Sequence, residues 1–263
     1  MKSEAALCCL FFLPQRTPDQ ALSKRQQKQT RKTRRQSAEV IQFPEAKFEF
    51  ERTMPAIQPL TEKQSDLMRA LKRDPQIIVL GPAGTGKTFI PANHAADLLR
   101  QKKIQKIILT RPNVPSGRSL GFFPGDINEK FAPWAAQIIE DIKARMGAGA
   151  FDIALKNGQI ELVPFEVMCG RSFKNAFIIL DEGQNTTPHE MKMFLTRQGE
   201  DSTVVVNGDI SQSDLRESSG LTMMIHLAKK ELLPVSIIEF GIEDIVRSGI
   251  CAAWVRAFTA NGI

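Results

Sequence analysis

Between residues 76 and 240 short apolar runs alternate with longer stretches whose apolar positions recur three and four residues apart. The runs are QIIVL (76–80), KIILT (106–110), AFIILD (176–181), TVVVNGD (203–209) and VSIIEF (235–240), each closed by a turn or polar residue. Continuous rather than alternating apolar runs read as strands covered on both faces, and the lengths between them suit crossover helices, which predicts a parallel α/β sheet. IELV (160–163) adds a short strand. Helices are expected over TEKQSDLMRALKR with Thr61 as N-cap, near 126–146, and over TPHEMKMFLTRQG, where Thr187 caps, Pro188 opens the first turn and Gly199 terminates. A last amphipathic helix is expected over IEDIVRSGICAAWVRAF (242–258). The span 111–175, with its Gly- and Pro-rich RPNVPSGRSLGFFPGD, is long for a connection and reads as functional.

Residues 14–56 lack this patterning and are rich in Gln, Lys, Arg, Thr and Pro, the composition of a disordered arm, so the division expected is a basic arm over 1–56 and a folded domain over 57–263. Charge sharpens that division. Lys24 to Arg35 holds seven basic residues and no acidic one, and removing them from a net charge of +6 leaves the rest of the chain nearly neutral. Cys8, Cys9, Cys169 and Cys251 have neither disulfide-framework nor zinc-site spacing and read as free thiols of a cytoplasmic protein. AALCCLFFL near the start has one lysine before it and the basic run after it, the reverse of an export signal. No stretch approaches the ~20 apolar residues of a membrane span, so no membrane partner is expected.

The candidate chemistry begins where the first strand ends. GPAGTGKT (81–88) fits G-x-x-x-x-G-K-[ST] in full, with Gly81, Gly86, Lys87 and Thr88 at the fixed positions and Pro82, Ala83, Gly84 and Thr85 between. Backbone N–H groups of such a loop and the following helix surround a β-phosphate, the lysine reaches β/γ oxygens, and the threonine hydroxyl ligates Mg²⁺. FIILDEGQN ends a buried strand in Asp181 and Glu182: the aspartate suits Mg²⁺, and the glutamate suits polarising a water. That carboxylate favours hydrolysis over phosphoryl transfer to another acceptor, which would have to exclude water. VVVNGDISQSDL then sets Asp209 and Gln212 beyond the next strand, where a glutamine reports the γ-phosphate.

GPAGTGKT, RPNVPSGRSLGFFPGDINEKFAPW, CGRSFKNAFIILDEGQNTTPHEMKMFLTRQGE and VVVNGDISQSDL, in this order over about residues 57–258, resemble the successive blocks of PhoH proteins, P-loop ATPases related to superfamily 1 helicases. The resemblance implies a single RecA-like domain with strand order 5-1-4-3-2, ATP and Mg²⁺ as ligands, and coupling to RNA or single-stranded DNA. It assigns Gln64 to adenine, Lys87 and Gln212 to phosphate, Thr88 and Asp181 to Mg²⁺, Glu182 to water, and Arg247 to transition-state charge. Arg111, Arg171 and Arg197 fall in blocks where ATP contact, nucleic-acid contact and ordinary salt bridges stay open. Gly183, Ser211 and Trp134 depart from the family's Ala, Thr and Tyr, and no PIN nuclease domain is visible. Because one such domain lacks the partner domain of a helicase, a homo-oligomer is expected, a hexameric ring with Arg247 supplied to a neighbour's ATP. A phosphate-starvation or stress switch acting on a protein partner, and a non-enzymatic nucleic-acid binder using Lys24 to Arg35, are the alternatives.

Overall fold

The β-branched and leucine-rich runs do form strands, and parallel ones. The computed structural model describes residues 54–112, 135–168, 171–213, 219–247 and 249–260. The basic run and Trp134 lie outside them, as does most of the Gly- and Pro-rich block. In chain order the elements are α1 (Glu62–Arg73), β1 (Gln76–Leu80), α2 (Phe89–Arg100), β2 (Lys106–Thr110), α3 (Ala136–Met146), α4 (Ala148–Lys156), β3 (Ile160–Leu162), β4 (Ala176–Leu180), α5 (Pro188–Leu195), β5 (Thr203–Gly208), α6 (Gly220–Lys230), β6 (Ser236–Glu239) and α7 (Gly249–Ala260). The sheet runs β6-β1-β5-β4-β2-β3. The five long runs therefore stand in the order the resemblance implied. The difference is a sixth strand, β3, at the edge beside β2, with Ile107 opposite Ile160.

Strand alternation divides the apolar residues between two cores. Ile77, Val79, Ile107, Leu109, Phe177, Ile179 and Val205 face α1 to α4 and meet Leu67, Ile90, Ala95, Ile142 and Phe151 there. Ile78, Leu80, Ile108, Ile178, Leu180, Val204 and Val206 face the other way, against Met191 and Phe194 of α5 and Leu221 and Met224 of α6. Each large aliphatic side chain so enclosed contributes about 1.5–3 kcal/mol of transfer free energy, which makes the sheet a rigid base for the loops at its carboxyl edge.

Helix starts follow the expected chemistry. Thr61 accepts from Gln64 N, and Thr187 forms a capping box with Glu190 ahead of Pro188. Two helix ends differ from expectation. α5 stops at Leu195, and Gly199 serves close approach instead: a Cβ there would stand 2.6 Å from the carbonyl oxygen of Phe173. The last helix starts at Gly249, not near Ile242, because Ile242–Asp244 form a 3-10 turn and Val246 N donates to Gly84 O at 3.0 Å. Residues that an unbroken helix would have carried outward are thereby laid on the glycine loop.

Candidate functional site

The site lies at the carboxyl ends of β1, β4 and β5, where open α/β sheets bind ligands. At the end of β1 the chain turns at Gly81 with φ 139°, and a Cβ there would meet Phe240 Cβ at 2.7 Å and Phe240 O at 2.8 Å. Gly84 and Gly86 both have φ 88°. Side chains are strained in that region, so the loop's path depends on glycine. Thr85 is fully buried and its hydroxyl donates to Pro82 O at 3.1 Å. The loop runs directly into α2, whose Ile90 and Ala92 N–H groups donate back to Gly86 O at 3.0 Å and Thr88 O at 3.1 Å, so the positive end of the helix dipole opens into the loop itself. Lys87 and Thr88 are partly exposed at that mouth.

Gln64 reaches this loop from α1. Its Nε2 donates to Thr85 O at 2.9 Å, its Oε1 accepts from Leu60 N at 2.8 Å, and it is 4% exposed. The residue expected to read adenine thus also holds the loop from behind.

The Thr88 hydroxyl makes no helix cap; it donates to Asp181 Oδ1 at 3.2 Å. Asp181 continues β4, its N–H bonded to Thr110 O at 3.0 Å. Loss of hydration pushes its carboxyl above the usual range, and the neighbouring Glu182 charge adds to that, against the opposing pull of Arg111, the Thr88 hydroxyl and Lys87. A carboxylate disfavoured in its charged form, beside a hydroxyl and a phosphate loop, gains from a cation. Mg²⁺ asks for little more from protein, since substrate phosphates and water complete its octahedron. Thr88 and Asp181 therefore fit that ion, although no group of three or more His, Cys, Asp or Glu side chains gathers among the described residues.

Glu182 has φ 53° and ψ 40°, a left-handed conformation that costs a non-glycine residue of order 1–3 kcal/mol. Its carboxylate accepts from Gln184 Nε2 at 2.6 Å and stands 3.9 Å from Arg111. Gln184, 1% exposed, also accepts the Asp209 N–H on its Oε1 at 3.1 Å. Asp209 in turn accepts from Ser211 Oγ at 2.6 Å and from Gln212 Nε2 at 2.8 Å. One side chain, unremarked in the sequence, therefore joins the β4 loop to the β5 loop that carries Gln212. Its signal was a glutamine two residues after the acidic pair, indistinguishable by type from a surface residue. Next to it, Gly183 fits a narrow space, since a Cβ would stand 2.9 Å from Val206 Cγ1.

The four arginines separate. Arg111 faces Glu182 and Asp181. Arg171 pairs with Glu161, which Lys106 also binds at 2.5 Å, and lies over the Phe173 ring, so it serves the β3 edge. Arg197 donates to Met193 O at 3.3 Å and to Thr196, closing the end of α5. Arg247 lies on the glycine loop of its own chain: a Cβ on Gly84 would come within 2.7 Å of its Cγ, Cδ and Nε. Val246 N–H donates to Gly84 O at 3.0 Å, which ties the segment to the same loop within this chain.

Among the described residues no helix is long and apolar enough to cross a membrane. A family model described as PhoH-like protein matches residues 56–259. Protein PhoH of Escherichia coli (strain K12) is 43% identical over 202 residues, 75% of this chain and 57% of that protein. The PhoH-like protein of Bacillus subtilis (strain 168) is 39% identical over 224 residues, 83% of this chain and 70% of that protein. The chain thus spans little more than half the length of the Escherichia coli relative. Among solved structures, the large terminase from a thermophilic bacteriophage aligns with a TM-score of 0.49 at 9% identity, over 76% of this chain and 50% of that one. With the glycine loop, the strand-tip acidic pair and the sequence matches together, the chain belongs to the PhoH family.

Proposed function

We propose that this domain binds ATP with Mg²⁺ and hydrolyses its terminal phosphoanhydride. The observation that carries the reading is the Thr88 hydroxyl on Asp181 Oδ1 at 3.2 Å, which joins a complete phosphate loop to a strand-tip carboxylate with Glu182 beside it. Backbone N–H groups of residues 84–88 and Lys87 take the β- and γ-phosphates. Thr88 and Asp181 hold Mg²⁺, which supplies charge neutralisation on the phosphate oxygens when bound. Glu182 accepts a proton from water as that water's oxygen bonds to the γ-phosphorus and the bridging P–O bond to ADP breaks. Its left-handed backbone and the Gln184 amide hold the carboxylate in place. Arg111, beside Glu182, and Arg247, against Gly84, supply positive charge to the phosphates, and Gln212 follows the γ-phosphate through Asp209. Gln64 reads adenine from its place behind the loop.

ATP turnover measured with and without Mg²⁺ tests the reading, alongside nucleotide binding by a Glu182→Gln variant. Binding without hydrolysis by that variant is expected; hydrolysis that persists in it overturns the assignment.

Coupling to RNA or single-stranded DNA rests on the seven basic residues from Lys24 to Arg35. Such a run binds phosphates without sequence preference, and its affinity falls steeply with salt. RNA-stimulated turnover supports coupling, RNA-independent turnover supports a switch acting on a protein partner, and RNA binding with no turnover supports the non-enzymatic reading.

A further inference from the structure

Among the described residues two side chains carry fully buried polar atoms without a hydrogen-bond partner: Thr110, through Oγ1, and Asn207, through both Oδ1 and Nδ2. Asn207 is 0% exposed. Native proteins pair nearly all such groups, so a whole carboxamide without partners in a valine strand calls for a ligand or an ordered water. Thr110 follows Leu109 and therefore faces the core away from α2, leaving it outside the site.

The sheet register says what Asn207 stands beside. Along β5, Val205 belongs to the core under α2 and Val206 to the opposite core, so Asn207 returns to the α2 face. On one side it pairs with Val79, in the strand that leads into the glycine loop. On the other, Leu180 pairs with Val206, which makes Asp181 the next residue across from Asn207. Asp181 projects to that same face, since it accepts from Thr88 at the head of α2. Asn207 thus fills the row between the root of the phosphate loop and the metal-holding carboxylate. A fourth valine would pack there equally well; the carboxamide adds donors on one atom and an acceptor on another.

We propose that Asn207 is a positioning residue for the metal. When Mg²⁺ and nucleotide are bound, its Nδ2, without a partner in this structure, donates to the Asp181 carboxylate, and its Oδ1 accepts from a water of the metal's hydration shell. The inference rests on the Mg²⁺·ATP reading above. Groups in this relation to a metal ligand change metal affinity about 10- to 100-fold when lost.

The test is equilibrium binding of a fluorescent, non-hydrolysable ATP analogue with and without Mg²⁺. The wild-type protein should bind more tightly with Mg²⁺. Asn207→Leu should bind the metal-free analogue as wild type does, yet lose about tenfold in affinity when Mg²⁺ is present; Asn207→Thr, which keeps a hydroxyl donor and acceptor, should recover part of that loss. A full Mg²⁺ gain in Asn207→Leu overturns the inference while leaving the ATP reading intact. A wild-type protein that binds no nucleotide, or gains nothing from Mg²⁺, overturns both. Should Asn207→Leu not fold, the wild-type side-chain amide signals of Asn207, identified by NMR from their absence in Asn207→Thr, decide the matter. They should shift when Mg²⁺ joins the nucleotide-bound protein, and unmoved signals overturn the inference.

Discussion

The phosphate-holding half of the site, formed by β1, the glycine loop and α2, is built differently from the water-orienting half at the tips of β4 and β5. In the first, backbone shape is decisive and neighbours enforce it: Phe240 occupies the space a Cβ would need on Gly81, Arg247 that on Gly84, and Gln64 comes within 3.1 Å of that on Gly86. In the second, a relay of side chains, Glu182 to Gln184 to Asp209 to Gln212, sets the geometry. A loop defined by excluded atoms has few substitutes at any position. A relay degrades by steps, and the two halves should answer mutation in those two ways.

The largest effect is expected from Lys87→Ala in the first half. It removes the loop's own cation from the β/γ oxygens and should cut turnover about 10³-fold and weaken ATP binding, with the melting temperature retained. Near-normal turnover would detach the glycine loop from the chemistry. Glu182→Gln in the second half should lower turnover about 10²-fold while Mg²⁺·ATP still binds. Equal loss of binding in both variants would erase the contrast between holding phosphate and orienting water.

Arg247 tests whether the first half is complete within one chain. With its side chain on Gly84, Arg247→Ala should reduce turnover by about tenfold to 10²-fold, and mixing it with Lys87→Ala should restore nothing, because each defect lies in the same molecule's site. Recovery on mixing would return Arg247 to a neighbour's ATP.

How much of this was legible follows the same contrast. The glycine loop and the Asp181–Glu182 pair stand out because spacing and residue type carry their chemistry. The strand order followed from the resemblance, and the edge strand β3 was visible as a short run. The place of Arg247 was hidden, since apolar spacing carried a helix straight through residues 242–258, although Ser248-Gly249 is a dipeptide that breaks helices. Gln184 and Asn207 were hidden for a deeper reason. Burial of a polar side chain depends on which neighbours close over it, and no local pattern records that. Arg171 and Arg197, equal candidates by block position, were separated only by where Glu161 and the end of α5 lie.

Gln184→Leu probes the relay itself. It leaves the Asp209 N–H buried without its acceptor, at a cost of about 1–3 kcal/mol, and frees Glu182 from its amide. Turnover should fall about tenfold, less than for Glu182→Gln because the carboxylate remains. Unchanged turnover with the full stability loss would make Gln184 a purely structural link and divide the second half into two independent loops.

The smallest effect, and the one that joins the halves, concerns Asp181. Its carboxyl is held above the usual range, first by burial and then by the Glu182 charge. The folded protein therefore binds that proton more tightly than the unfolded chain does. Stability from this group is complete below the unfolded value near ~3.9 and is lost as pH rises through the raised folded value. Asparagine imitates the protonated form and can still accept from the Thr88 hydroxyl. Without metal, Asp181→Asn should melt a few degrees above wild type at neutral pH, with the gap closing as the pH falls toward the unfolded value. Adding Mg²⁺ and ATP analogue should reverse the order, because only wild type gains the full binding free energy of the metal complex. Thermal melts across pH, with and without those ligands, check both parts. A variant less stable than wild type at neutral pH, in the absence of metal, would mean that the ionised carboxylate is stabilised by Arg111 and Lys87, and that the site has no stored preference for a cation.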